Sequence, residues 1–162
     1  MLPSSADYQI QAAHTPQDFK QAQGLFQQYA DWLEIDLSYQ KFEQELAVLP
    51  QMYGENTGRI LLAKVGDQAI GCVGVRQLSL SICEMKRLYV RPEFQGSGIG
   101  VDLAKQIIQE GRKLGYAEIV LDTLKSMTSA RRLYHNLGFY EIPAYYENPV
   151  TDVIYLKLNL IK

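Results

Sequence analysis

The residues with the most evident chemistry lie in the segment Gln95-Gly96-Ser97-Gly98-Ile99-Gly100. Glycines at 96, 98 and 100 let backbone N–H groups converge with no Cβ atom in the way. The segment sits where an apolar strand feeds a helix, so unsatisfied N–H groups and the positive end of the helix dipole point at one place. A pyrophosphate fits such a place. The plainer alternative is a tight connection and nothing more, since glycine-rich turns are common. Two rival phosphate motifs fail at named positions. A GxGxxG fingerprint starting at Gly96 needs glycine where Val101 stands, and no Gly-Lys-Ser/Thr triplet follows to make a P-loop. Cys72 and Cys83 sit in apolar runs without a CxxC or Cys/His cluster; they read as buried, reduced thiols and give a metal site no support. His14 precedes a helix start and His135 lies within a helix, and neither has a partner for a triad or a metal.

The elements that must position the turn follow from changes of period. Residues 8–13 predict a first strand. Thr15-Pro16-Gln17-Asp18 starts a helix that runs to about Asp31, with Thr15 as cap, Pro16 at the first helical position, and Phe19, Ala22, Phe26, Tyr29 and Ala30 near one face. A shorter helix begins at Ser38 and turns Phe42, Leu46 and Leu49 inward. Ile60–Val65 and Ala69–Arg76, joined at Gly66-Asp67-Gln68, predict a hairpin. Ile82–Val90 is a third strand in this region, stopped by Pro92, which cannot donate to a ladder. Gly98–Leu114 predicts a helix with Ile99, Leu103, Ile107, Gly111 and Leu114 on the buried stripe. A strand over 118–122, a helix over 129–137 ended by Gly138, and strands over 139–141 and 153–160 complete a mixed α/β or α+β domain.

Composition limits the classes of function. One domain suits 162 residues, of which 47% are hydrophobic and 21% charged. Sixteen Lys plus Arg against eighteen Asp plus Glu leave a formal charge of -2, no footprint for duplex nucleic acid. No apolar run approaches the roughly 18 residues that cross a bilayer, and the first residues lack a secretory pattern, so a cytoplasmic location is expected.

Three segments carry a resemblance. Gln95-x-x-Gly98-x-Gly100 resembles the Q/R-x-x-G-x-G/A motif of the GNAT superfamily of N-acetyltransferases. Residues 83–92, Cys-Glu-Met-Lys-Arg-Leu-Tyr-Val-Arg-Pro, resemble the strand leading into it, and residues 130–139 resemble that family's A-x-x-L-Y-x-x-x-G-F helix. The likeness covers about residues 58–142, in a single domain spanning 1–162 with acceptor-side helices over about 15–50 and a last strand over about 152–160. It implies a central mixed sheet whose fourth and fifth strands splay at a bulge, flanked by about four helices, with acetyl-CoA as acyl donor in the opening and no metal. The backbone of Leu88 and Val90 would then face the pantetheine amides and the thioester carbonyl. Backbone N–H groups of Gln95, Gly96, Gly98, Ile99 and Gly100 would hold the pyrophosphate. The family often places Asn where Met127 stands here; Ser126, Thr128 or backbone groups could substitute, and Lys125, Arg131 and Arg132 could reach coenzyme phosphates or be solvated surface charge.

The same resemblance gives Tyr134 the role of donating a proton to the departing sulfur, which a phenol of pKa about 10 can do at pH 7. Glu84 matches a strand carboxylate that serves as a base through water. At about 3.3 Å per residue it lies about 13 Å along the strand from Leu88, so a direct contact is not expected, and pairing with Lys86 or Arg87 is the competing reading. Direct attack of a small-molecule or peptide amine on the thioester needs no covalent intermediate, with the Leu88 N–H stabilising the oxyanion. The acceptor side draws on Tyr29, Trp32, Leu33, Tyr39 and Phe42, and on Tyr145, Tyr146 and Glu147 in a Pro-bounded loop; Asp36 and Glu147 could attract a cation. A non-catalytic acyl-CoA-binding regulatory module is the alternative. Small domains of this kind often pair through sheet edges or helices, which leaves a homodimer open.

Overall fold

The computed structural model describes residues 7–33, 37, 41–54 and 56–161; Ser38, Asp36 and Tyr39, invoked above, lie outside the described residues. The chain runs β1 (Gln9–Ala12), α1 (Pro16–Leu33), α2 (Phe42–Ala47), α3 (Leu49–Met52), β2 (Arg59–Val65), β3 (Gln68–Gln77), β4 (Ile82–Val90), α4 (Ile99–Lys113), β5 (Glu118–Leu124), α5 (Thr128–Asn136), β6 (Tyr140–Ile142) and β7 (Val153–Asn159). The strands form one seven-stranded sheet in the order β1-β2-β3-β4-β5-β7-β6. Every neighbouring pair is antiparallel except β4 and β5, which are parallel and joined through α4. The mixed sheet expected from the sequence is present, with element ends displaced by a few residues.

Local chemistry accounts for the starts and turns. Thr15 Oγ1 accepts the Asp18 N–H at 3.0 Å, while Asp18 Oδ2 accepts the N–H groups of His14 and Thr15 at 3.1 and 3.3 Å, a reciprocal cap with Pro16 just inside. Gly66, at φ 60°, closes the β2–β3 hairpin. Alternation then sorts the sheet's two faces. Ile60, Leu62 and Cys72 pack with Phe26 and Leu49 under α1–α3, whereas Leu61, Val73, Val75, Ile119 and Leu121 pack with Leu103, Ile107 and Phe139 under α4 and α5. On the α4 stripe Leu103, Ile107 and Gly111 are buried, while Leu114 is only partly so. Cys72 and Cys83 are both free and buried.

The feature that makes the site is a failure of pairing. β4 and β5 pair only at Ile82–Glu118, Cys83–Ile119 and Glu84–Val120; beyond those residues no register joins them. β4 is bulged against β3 at the same place. Cys72 faces Tyr89 and Gly74 faces Lys86, so Val73 spans both Arg87 and Leu88. Arg87 takes φ 62°, a left-handed conformation that a non-glycine residue holds only under constraint. Its buried guanidinium supplies that constraint. Nε donates to Glu45 Oε2 at 3.0 Å and Nη2 to Glu45 Oε1 at 2.9 Å, with the Phe42 ring 5.1 Å from the cation.

Candidate active site

The diverging ends of β4 and β5 enclose a cleft of ≈ 720 Å³. Its β4 wall is Leu88, Tyr89 and Val90; the opposite wall is Leu124, Ser126, Met127 and the start of α5. Gln95, Gly96, Ile99 and Gly100 close one end, and Trp32 and Leu33 of α1 border it. The sequence-derived residues Leu88, Val90, Gln95, Gly96, Ile99, Gly100, Ser126 and Trp32 thus share one cleft. Met127 lines it too, with Thr123 Oγ1 3.8 Å from its sulfur.

The glycine turn is built to leave donors exposed. Pro92–Phe94 form a single 3₁₀ turn, Gly96 takes φ 83° and Gly98, the N-cap of α4, takes φ 89°. No side chain caps α4. Asp102 N–H bonds the Gly98 carbonyl at 3.1 Å, but among the described residues the N–H groups of Gly98, Ile99 and Gly100 have no acceptor. A Cβ at Gly96 or Gly98 would meet nothing within 4 Å, so the space over the turn is open. An anion fits these donors. Gln95 is different: its N–H is taken by Pro92 O at 3.3 Å, and its side chain donates to Val90 O at 2.9 Å. Arg131 lies away from the cleft lining and donates to Lys125 O at 2.9 Å, holding the loop before α5.

A second, water-sized cavity of ≈ 30 Å³ lies deeper in the splay, lined by Tyr29, Met85, Lys86, Arg87, Leu88, Leu121, Asp122 and Tyr134. Leu88 lines both cavities. Tyr134 is buried on α5, its ring edge-on to Phe139 at 5.7 Å. Among the described residues its hydroxyl has no hydrogen-bond partner, and burial, with Tyr29 and Asp122 adding to it, pushes its pKa well up. A buried phenol with nothing to donate to is available to a ligand atom.

Glu84 stands at the last paired position of β4, buried, and lines neither cavity. Arg76 Nε and Nη2 both lie 2.8 Å from its Oε1, and Tyr145 OH donates to its Oε2 at 2.5 Å. The expected partner Lys86 goes instead to Glu45, at 3.6 Å, and Arg87 to Glu45 as well. Tyr146 OH donates to Asp122 Oδ2 and accepts from Asn148 Nδ2 at 2.9 Å. Tyr145, Tyr146 and Tyr155 form an aromatic cluster with ring centroids 5.3 to 5.7 Å apart. Glu147 is exposed and lines neither cavity. His14 precedes α1 with its imidazole 3.4 Å from Asp18 Oδ2, and His135 is exposed.

Sequence reasoning passed over Glu45 and Asp122, and offered Arg87 to Glu84 where the structure pairs it with Glu45. The signal was there in both: Glu45 sits on the inward stripe of α2 between Phe42 and Leu49, and Asp122 ends the apolar run Ile119-Val120-Leu121. A charge at a buried position needs a partner or a task. Among the described residues no group of His, Cys, Asp and Glu could hold a metal ion, and no helix is long and apolar enough to cross a membrane.

Residues 22–139 match the acetyltransferase (GNAT) family. An "uncharacterized N-acetyltransferase" of Schizosaccharomyces pombe is 42% identical across 100% of this chain and 99% of its own. In structure, an acetyltransferase from Streptococcus agalactiae superposes with a TM-score of 0.78 at 18% identity, covering 94% of this chain and 98% of that one. A GNAT family acetyltransferase from Elizabethkingia anophelis with acetyl-CoA bound has a TM-score of 0.64 at 24% identity, covering 94% and 98%.

Proposed function

The chain belongs to the acetyltransferase (GNAT) family, and from that premise we propose that it transfers an acetyl group from acetyl-CoA to a primary amine by direct attack on the thioester. The observation that carries the reading is the placement of Tyr134. Tyr134, whose hydroxyl has no hydrogen-bond partner among the described residues, lines with Leu88 the inner cavity beside the main cleft, so a thioester reaching past Leu88 would bring its sulfur toward a proton donor. The pyrophosphate would rest on the N–H groups of Gly98, Ile99 and Gly100 and over the open space at Gly96, and the pantetheine arm along Leu88 and Val90 in the gap that β5 leaves. Met127 stands where the family often has Asn and lines the cleft beside Ser126, whose hydroxyl would take the Asn's part, while Arg131 supports the loop that carries Ser126.

On the acceptor side Trp32 borders the cleft at 49% exposure, with its ring 6.3 Å from Tyr29 and from Tyr89. Tyr145 and Tyr146 stand behind the cavities and hold the carboxylates of Glu84 and Asp122; of these Asp122 lines the inner cavity, so the amine would meet one carboxylate beside the rings of Tyr29 and Tyr134. Glu84 acts there through that network, and Glu147 stands on the loop outside it. The test is a screen of primary amines with acetyl-CoA, read by release of free thiol. Turnover with at least one amine is expected. Coenzyme A binding without turnover of any amine would overturn the proposal.

A further inference from the structure

We propose that Asp122 takes the proton from the incoming acceptor, which therefore enters as a cationic primary ammonium group. This rests on the acetyl-transfer reading above. Asp122 lies two residues past Val120, the last residue of β5 paired to β4, and it lines the inner cavity with Lys86, Leu88 and Tyr134. That cavity shares Leu88 with the main cleft, so the carboxylate and the thioester site have a common wall. Tyr146 fixes Oδ2, while Oδ1 has no hydrogen-bond partner among the described residues. Glu84 offers no such vacancy: Arg76 holds Oε1 and Tyr145 holds Oε2. Of the two carboxylates in this network, only Asp122 keeps an accepting oxygen and borders the space where an amine can stand.

The surrounding charges suit the role. From β4, Glu84 raises the proton affinity of Asp122 and Lys86 and Arg87 lower it, with Arg87 already matched by Glu45. From α5, the 143–152 loop and β7 the facing groups are phenols, Tyr134, Tyr145, Tyr146 and Tyr155, and Tyr29 of α1 lines the same cavity. Burial leads, and the net push on the carboxyl is upward, which strengthens it as a base. The step balances. R–NH3+ gives one proton to the Asp122 carboxylate, and the freed nitrogen lone pair forms the C–N bond. The C–S bond breaks, its electron pair stays on sulfur, and Tyr134 protonates that thiolate. The second nitrogen proton restores the Tyr134 hydroxyl, and Asp122 later releases its proton to water.

The experiment compares two kinds of nucleophile, each with acetyl-CoA and read by thiol release. Alkylamines (butylamine, phenethylamine, spermidine, an alanyl peptide) are cations at pH 7, whereas hydroxylamine is largely neutral and needs no base before attack. Asp122→Asn is expected to slow alkylamine turnover by about 10²-fold or more while hydroxylamine turnover stays within about 3-fold. Equal losses with both, or no loss with the alkylamines, would overturn the assignment. If the wild-type protein acetylates no amine while coenzyme A still raises its melting temperature, the acetyl-transfer reading fails first and takes this one with it. Should Asp122→Asn not fold, Tyr146→Phe removes the donor that stabilises the carboxylate. The acid limb of alkylamine turnover should then move to higher pH, and an unmoved limb would refute the role.

Discussion

At the residue scale, Tyr134 separates chemistry from packing because its ring and its hydroxyl have different environments. The ring packs on Phe139 in the core, and the hydroxyl has no hydrogen-bond partner among the described residues. Tyr134→Phe therefore keeps the packing and leaves no buried group unsatisfied, so its melting temperature should stay near that of the wild type. If the hydroxyl protonates the leaving sulfur, kcat falls by about 10²-fold or more, while coenzyme A affinity measured by calorimetry changes by less than about 3-fold. An unchanged kcat would reduce Tyr134 to a core residue. The sequence made this residue legible because the A-x-x-L-Y-x-x-x-G-F pattern fixes it on a helix face. It could not show that Glu84 would be occupied by Arg76 and Tyr145, since those partners lie 8 and 61 residues away and meet only in the folded sheet.

At the scale of elements, one substitution should act in opposite senses at two glycines. Gly98 takes φ 89° with nothing within 4 Å of a Cβ, so Gly98→Ala is strained by its backbone and not by a clash. The cost of about 1–2 kcal/mol falls on the turn and should weaken coenzyme A binding by about 10-fold in a titration. Gly24 lies inside α1, exposed and also with open space, so Gly24→Ala should stabilise the fold by about 0.5–1 kcal/mol in urea unfolding. Most strands and helices were readable from periodicity, because each buries one face. The β4 bulge came only from the family resemblance, and the pair that holds Arg87 there was not legible, since its carboxylate lies 42 residues earlier. That pair makes a further prediction. Burial opposes ionisation of Glu45, but Arg87, Lys86 and Tyr53 outweigh it and hold the carboxyl below its usual range. A lowered folded-state pKa contributes stability above the ordinary carboxylate value, lost as pH falls through the folded one. Glu45→Gln, which leaves Arg87 buried and unpaired, should cost about 3–5 kcal/mol at pH 7 and flatten the acid loss seen in wild-type urea midpoints between pH 7 and pH 3. Parallel midpoint curves for the two proteins would contradict this account.

At the scale of the whole molecule, the sheet is two closely packed sets of strands joined by three parallel pairs, and a ligand in the gap would join them a second time. β1–β4 lie on one side and β5–β7 on the other, and beyond Glu84–Val120 the described residues show no ladder between them. A coenzyme lying along Leu88 and Val90 and against Ser126 and Met127 would touch both sides, and the folded state alone presents that pair of walls. Binding should therefore stabilise the native state by mass action, about 2.7 kcal/mol with coenzyme A at 100 times its dissociation constant. For a chain of this length each kcal/mol corresponds to about 2–4 °C, so the melting temperature should rise by about 5–10 °C. Free 3′-phosphoadenosine 5′-diphosphate, which keeps the pyrophosphate but lacks the pantetheine arm, can reach the turn but cannot bridge the gap. Hydrogen exchange should separate the two ligands: the arm-bearing coenzyme slows amides of β4 beyond Lys86 and of β5 beyond Asp122, and the armless nucleotide slows only those of the turn and α4. Equal protection by both would mean that the splayed strands gain nothing from the arm, and that the gap is a passive groove.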